Sequence, residues 1–276
     1  MWKHYKLYFK DFTKGRNERN FLELVVFVLY LLTSLKNLYS RAWKLAYLIE
    51  NLKMRKRFLR KIIFKIPSSE SVLKPTQSIG FNIAYRVNIY LSLLTRLGYA
   101  FPINTHKNIW KGNIYNDCGV IYISVHLPLI KVAIAKLIED GKDIDAGLSA
   151  SYSVDGKMSF WGITKRIPII QTGPMSLLRI KSILKNKGSI VMMADTGLYS
   201  IIYPNIFHLA AKTNARVMFI LAYLNENGVI EINLTEPPHI QFNTEEQIEE
   251  NITALRMARE TILVNYAHQF DDILSN

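Results

Sequence analysis

The chain has a single cysteine, Cys118. One thiol allows no intrachain disulfide and no zinc cluster of several cysteines, and it favours a reducing setting on the cytoplasmic side. The 13 glycines are scattered rather than spaced as a phosphate cradle, so no nucleotide cofactor is implied. His106, His126 and His208 are far apart in sequence and match no metal-binding spacing. A reaction that needs neither metal nor cofactor is therefore expected. Long apolar runs are missing as well. The most apolar stretch, Phe21 to Leu35, has 15 residues and includes Glu23, whereas a bilayer span takes about 20. It suits entry into one leaflet or a position in the interface. No small-residue cleavage site follows Leu35, which argues against a signal peptide. Acidic residues are scarce: 22 Asp and Glu stand against 35 Lys and Arg, for a net charge of +13. Such an excess attracts anionic lipid, nucleic acid or an acidic carrier protein.

What is present narrows these partners. With 276 residues, 49% of them apolar and 21% charged, the composition lies between that of a soluble enzyme and that of a polytopic membrane protein. A peripheral membrane protein fits. Between Lys53 and Lys65 seven basic residues are interleaved with Met54, Phe58, Leu59, Ile62, Ile63 and Phe64 at helical spacing. The apolar side of such a helix can enter acyl chains while Arg55, Arg57, Arg60 and Lys61 meet anionic head groups; a solvated helix packed on the domain is the plainer alternative. No nucleic-acid recognition motif accompanies these residues, so nucleic acid is not an expected partner. Pro67 to Ser69 and Lys74 to Thr76 read as a linker. The expected organisation is an attachment segment over 1–77 and a domain over 78–276.

Within that domain apolar strands alternate with helices. Strands are expected at Gly119 to Val125, Ala146 to Ser151, Ile167 to Ile170 and Ser189 to Ala194, with helices at Leu129 to Glu139 and Pro174 to Lys187, the latter stopped by Gly188. Arg216 to Leu224 and Val229 to Leu234 flank Asn227-Gly228, a hairpin turn signal. Thr244 and Gln247 form a capping box before a helix whose apolar face carries Ile248, Ile252, Leu255 and Ile262. The expected fold class is α/β, a single domain with a mixed central sheet flanked by helices, preceded by the apolar and basic helical attachment.

Two polar residues stand at strand ends. His126 follows the first strand and precedes Pro128, and the end of a strand entering a helix is where α/β proteins expose working side chains. A neutral imidazole there can take a proton from an acceptor hydroxyl or amine attacking a thioester; structural histidines also occur at such ends. Asp195, in Met193-Ala194-Asp195-Thr196-Gly197, ends a second buried strand. Its carboxylate can orient His126, bind a cationic group or cap the turn. If the two strands run parallel, His126 and Asp195 share one edge of the sheet.

From about Asn113 to Asn265 the chain resembles the lysophospholipid-acyltransferase superfamily, within it the lipid A lauroyl and myristoyl acyltransferase branch. The resemblance rests on Gly119-Val120-Ile121-Tyr122-Ile123-Ser124-Val125-His126, similar to that family's strand ending in the catalytic histidine. It continues in the helix, glycine and strand from Leu184 to Asp195, in Phe207 to Ala222 with the hairpin, and in Glu236-Pro237-Pro238 ahead of a terminal amphipathic helix. It implies transfer of an acyl chain, typically from acyl carrier protein, to a hydroxyl of a membrane-bound acceptor at the cytoplasmic face of an inner membrane. Acyl-CoA is the other thioester donor. His126 would be the general base. The family carries Asp or Glu five positions after the histidine, where this chain has Lys131. A lysine opposes imidazolium formation instead of stabilising it. An amine acceptor, needing less activation, is one way to account for this departure. Asp195 is the preferred substitute acid, with Asp117 and Asp155 behind it. A relative that binds lipid or acyl groups without catalysis is the alternative. Lys131, Lys165, Arg166 and Thr196 are the candidate substrate-binding residues, and Lys165, Arg166, Lys181 and Lys185 the candidate contacts for an acidic carrier protein.

Overall fold

A computed structural model describes residues 44, 46–50, 52, 79–96, 118–149, 157–159, 166–195, 201–225, 229–240 and 242–268. The chain divides into two compact units, Met1–Val72 and Leu73–Asn276. The expected attachment segments at 21–35 and 53–65 and the linker at 67–69 and 74–76 lie outside the described residues, as do Asp117, Asp155, Lys165, Thr196 and the turn at 226–228. Among the described residues no helix is long and apolar enough to cross a membrane.

The second unit begins with α1 (Ile79–Arg96), then β1 (Val120–Ser124), α2 (Ile130–Glu139), β2 (Ala146–Ser149), β3 (Lys157–Ser159) and β4 (Arg166–Gln171). It continues with α3 (Ser176–Lys185), β5 (Ser189–Met193), α4 (Asn205–Thr213), β6 (Arg216–Leu224), β7 (Ile230–Thr235) and α5 (Glu245–His268). The strands form one seven-stranded sheet in the order β3-β4-β2-β5-β1-β6-β7. The five inner strands are parallel, and β3 and β7 pair antiparallel at the two edges. This is a mixed α/β sheet flanked by helices. The edge strand β3, and the helices α1 and α4, have no counterpart in the expected element list.

Burial explains the pattern of residues. β1 is buried along its whole length, and its run of apolar residues is what a central parallel strand covered on both faces requires. β7 alternates buried and half-buried residues, as an edge strand covered on one face does. Phe207 of α4 meets Phe219 of β6 edge-on at 6.4 Å, and Phe81 of α1 meets Tyr266 of α5 at 6.1 Å. The Tyr266 hydroxyl in turn accepts the Leu224 amide at 3.0 Å, tying α5 to the end of β6. At the start of α5, Gln247 donates its amide to the Thr244 hydroxyl at 3.3 Å and its side-chain oxygen accepts the Thr244 amide at 3.4 Å, the reciprocal geometry of a capping box.

α3 ends at Lys185, two residues before the expected end, and the left-handed residue that closes it is Lys187, at φ 62°. Gly188 donates to the Ile183 carbonyl at 2.9 Å and Lys187 to the Leu184 carbonyl at 3.1 Å, a Schellman closure with lysine in the position that glycine usually takes. Gly188 is needed for space instead, since a Cβ there would lie 2.7 Å from the Ile183 side chain and from Asp145 Oδ2. The start of α3 also moves, from Pro174 to Ser176, because the Ser176 amide and hydroxyl both donate to the Gly173 carbonyl and close a turn ahead of the helix.

Gly119 sets the approach of β1 to α3. A Cβ at this position would meet the Leu184 carbonyl oxygen at 2.5 Å and its Cα at 2.8 Å, both backbone atoms with no rotamer to relieve the clash. Gly119→Ala should therefore destabilise the domain by about 1–3 kcal/mol, read as a lower urea midpoint at unchanged slope. An unchanged midpoint would show that α3 shifts freely against β1.

Candidate functional site

The site forms where two parallel strands end level. Ser124 and Met193 are register partners in β1 and β5, and the ladder runs one residue further, the Ala194 amide donating to the Ser124 carbonyl at 2.7 Å. The Ser124 hydroxyl donates to the Ile220 carbonyl at 2.6 Å and ties β1 to β6 on its other side. Beyond this point both chains turn. The Leu127 amide donates to the Val125 carbonyl at 2.8 Å, a three-residue turn with His126 at its centre. From here the connection of β1 leads toward β2, while that of β5 leads toward β6, in opposite directions across the sheet. Such a reversal at the carboxyl ends of parallel strands opens the crevice in which α/β proteins bind ligands.

His126 and Asp195 meet at this edge. Asp195 Oδ1 lies 2.7 Å from His126 Nδ1. The same carboxylate accepts the His126 backbone amide, at 3.0 Å to Oδ1 and 3.2 Å to Oδ2. The Asp195 side chain is fully buried, whereas that of His126 is 47% exposed. Because an ionised carboxylate only accepts, the hydrogen of a neutral imidazole resides on Nδ1, which leaves the lone pair on Nε2.

A third residue completes the arrangement. Arg259 Nη1 of α5 lies 3.5 Å from Asp195 Oδ2, and Arg259 is itself buried. A buried carboxylate is tolerated only when paired and hydrogen-bonded. Here the guanidinium supplies the charge while the turn amide and the imidazole supply the hydrogen bonds. Arg259 escaped the sequence reading, although a trace of it is there. It lies four residues after Leu255 and three before Ile262, on the stripe that also carries Ile248 and Ile252, all of them buried. A cation inside an apolar stripe needs a buried partner, and that is the signal.

The other candidates are distributed differently. Lys131, on the first turn of α2, is exposed and makes no hydrogen bond or ion pair with a described residue. Arg166 opens β4 at the amino end of the sheet, about 17 Å along the strand direction from the edge that holds His126. The structure thus does not bring Arg166 to this pair, because a parallel strand entered at one end delivers only its last residues to the carboxyl edge. Lys181 and Lys185 are exposed on α3. Tyr223 of β6 offers no alternative base. Burial first, and then the hydrogen bond and charge of Glu231, push its phenol up to about 12, so it keeps its proton at neutral pH. Among the described residues no group of three or more His, Cys, Asp or Glu side chains is arranged to hold a metal ion.

Fold and site define an α/β protein with a histidine–aspartate pair at the carboxyl edge of its parallel strands. No protein-family model and no curated protein matches the chain.

Proposed function

We propose that the protein is an acyltransferase that moves a fatty acyl chain from a thioester donor to a hydroxyl or amine acceptor at a membrane, with His126 as general base. The observation that carries this reading is a half-exposed histidine whose Nδ1 is held by a buried aspartate. In the reaction, Nε2 removes the acceptor's proton as its oxygen or nitrogen attacks the thioester carbonyl. The tetrahedral adduct collapses by breaking the C–S bond, and the imidazolium returns the proton to the departing thiolate. Asp195 stabilises the imidazolium in between, the part that an acid five residues after the histidine plays in the lipid A acyltransferases this chain resembles.

That resemblance, from the strand ending at His126 to the terminal helix, supports acyl carrier protein or acyl-CoA as donor and a glycolipid or lipid as acceptor. The +13 charge supports an anionic membrane surface, at the cytoplasmic face of an inner membrane. A reading without catalysis is favoured by one contact: Asp195 also accepts the His126 backbone amide, which caps the turn whether or not any chemistry follows. Mass spectrometry of membrane lipids and small metabolites from cells with and without the chain tests the proposal. An acylated species should appear only with it, and identical profiles would leave the binding reading.

Lys131 separates the two readings further. With Asp195 already on Nδ1, a second carboxylate has no vacancy to fill, and the exposed lysine is suited to an anionic group of donor or acceptor. Lys131→Asp should lower kcat/KM about tenfold, mainly through KM, as loss of one charge-assisted contact does. A rise in turnover would mean that the histidine lacks an acid and that Asp195 is only a cap.

A further inference from the structure

The carboxyl edge has a second property that the proton-transfer chemistry leaves unused. Met175, Leu177, Leu178 and Ile201 are each more than half exposed, and Tyr203 is 45% exposed. All five stand at the edge that holds His126. β4 ends at Gln171 level with Ser149 of β2, so the 173–178 segment begins at that edge, about 14 Å across the sheet from β1. The Tyr203 amide donates to the Ala194 carbonyl at 3.1 Å, which sets 201–203 beside the residue preceding Asp195.

Charge on α3 follows in order. Arg179, Lys181, Lys185 and Lys187 are exposed, and no Asp or Glu occurs anywhere from 172 to 187. With a helical rise of 1.5 Å per residue, Lys181 lies about 4.5 Å and Lys185 about 10 Å beyond Leu178 along the axis. An amphipathic segment seated in a bilayer interface enters by about 5–10 Å, so an apolar first turn followed by cations on the second and third matches the sequence of layers it would cross.

We propose that this edge of the domain docks directly on an anionic lipid surface. Met175, Leu177, Leu178, Ile201 and Tyr203 enter the boundary between head groups and acyl chains, and Arg179, Lys181 and Lys185 meet the lipid phosphates. Charge complementarity selects the surface, and the order along α3 selects lipid over an acidic protein, which would meet the cations without needing five exposed apolar side chains ahead of them. Docked this way, the His126 imidazole faces the interface where a membrane-bound acceptor presents its hydroxyl or amine. That purpose rests on the acyltransfer reading, whereas docking itself is measurable without turnover.

The test uses the full chain with Cys118→Ser, an environment-sensitive dye on Leu178→Cys or, as control, on Lys212→Cys at the far end of α4, and vesicles of phosphatidylglycerol and phosphatidylcholine. On bound protein the dye at 178 should shift to the blue and be quenched by spin label in the acyl chains, while the dye at 212 stays in water. Met175→Asp with Leu177→Asp, two exposed positions that leave the core untouched, should abolish the quenching. Bound protein whose 178 dye remains in water would overturn the proposal, leaving attachment to other segments. Shielding of the dye by acyl carrier protein but not by vesicles would overturn it in favour of a protein-docking face. Turnover on a water-soluble acceptor is assayed in parallel: its absence with docking intact counts against acyl transfer alone, and its presence without docking counts against docking alone.

Discussion

His126→Ala should lower acyl transfer by about 10²–10⁴-fold while the domain stays folded. The side chain is nearly half exposed and contributes little packing, so the expected change in stability is within about 0.5 kcal/mol. The backbone amide of residue 126 remains available to Asp195, which keeps the turn capped in the variant. Loss of activity in a folded protein would still be compatible with a merely positioned imidazole, so the decisive step is rescue. Free imidazole added to His126→Ala should restore part of the turnover, because the cavity left beside Asp195 accepts a base in the same orientation. Asp195→Asn should also reduce turnover, and the double variant should be scarcely worse than the poorer single one, since residues that act as a unit are not additive. Wild-type activity in His126→Ala would remove the general base from the mechanism and leave catalysis by proximity, or binding alone, as the account.

The pairing of His126 with Asp195 was within reach of the sequence because both residues follow uninterrupted apolar runs. Such runs signal strands buried on both faces, those strands are parallel in α/β proteins, and parallel strands deliver their carboxyl ends to one edge. The β6–β7 hairpin and the α5 capping box were legible for a similar reason: each depends on residues a few positions apart. Apart from the helices α1 and α4, what the sequence concealed depends on tertiary neighbours. β3 has three residues, too few for any periodicity, and exists only through its antiparallel pairing with β4. The adjacency of β5 and β1 comes from β5 inserting between β1 and β2, which no local pattern records. The placement of Arg166 at the wrong end of its strand shows the limit of reasoning from residue type alone. A basic residue in a plausible segment says nothing about which edge of the sheet it will reach.

Arg259 is the residue whose loss should cost the fold most. Its guanidinium lies against the fully buried Asp195 carboxylate, so Arg259→Leu leaves that charge with hydrogen bonds but without a countercharge. Breaking one partner out of a buried pair typically costs about 3–5 kcal/mol, far above the median for exposed ion pairs. Asp195→Asn removes the charge from the other side, and the two changes share one interaction. The combined variant, Asp195→Asn with Arg259→Leu, should therefore be more stable than the sum of the single losses predicts, by about 1–3 kcal/mol in a double-mutant cycle read from urea unfolding. Burial also predicts that the coupling persists at high salt, where a surface pair would be screened. Strict additivity would show that Arg259 is held by its other contacts and that Asp195 relies on the turn amide and His126 alone. If the coupling is found, Arg259 is a positioning residue: it fixes the carboxylate that fixes the imidazole. Arg259→Lys, which restores the charge without the planar fork, should then recover part of the stability and of the turnover together.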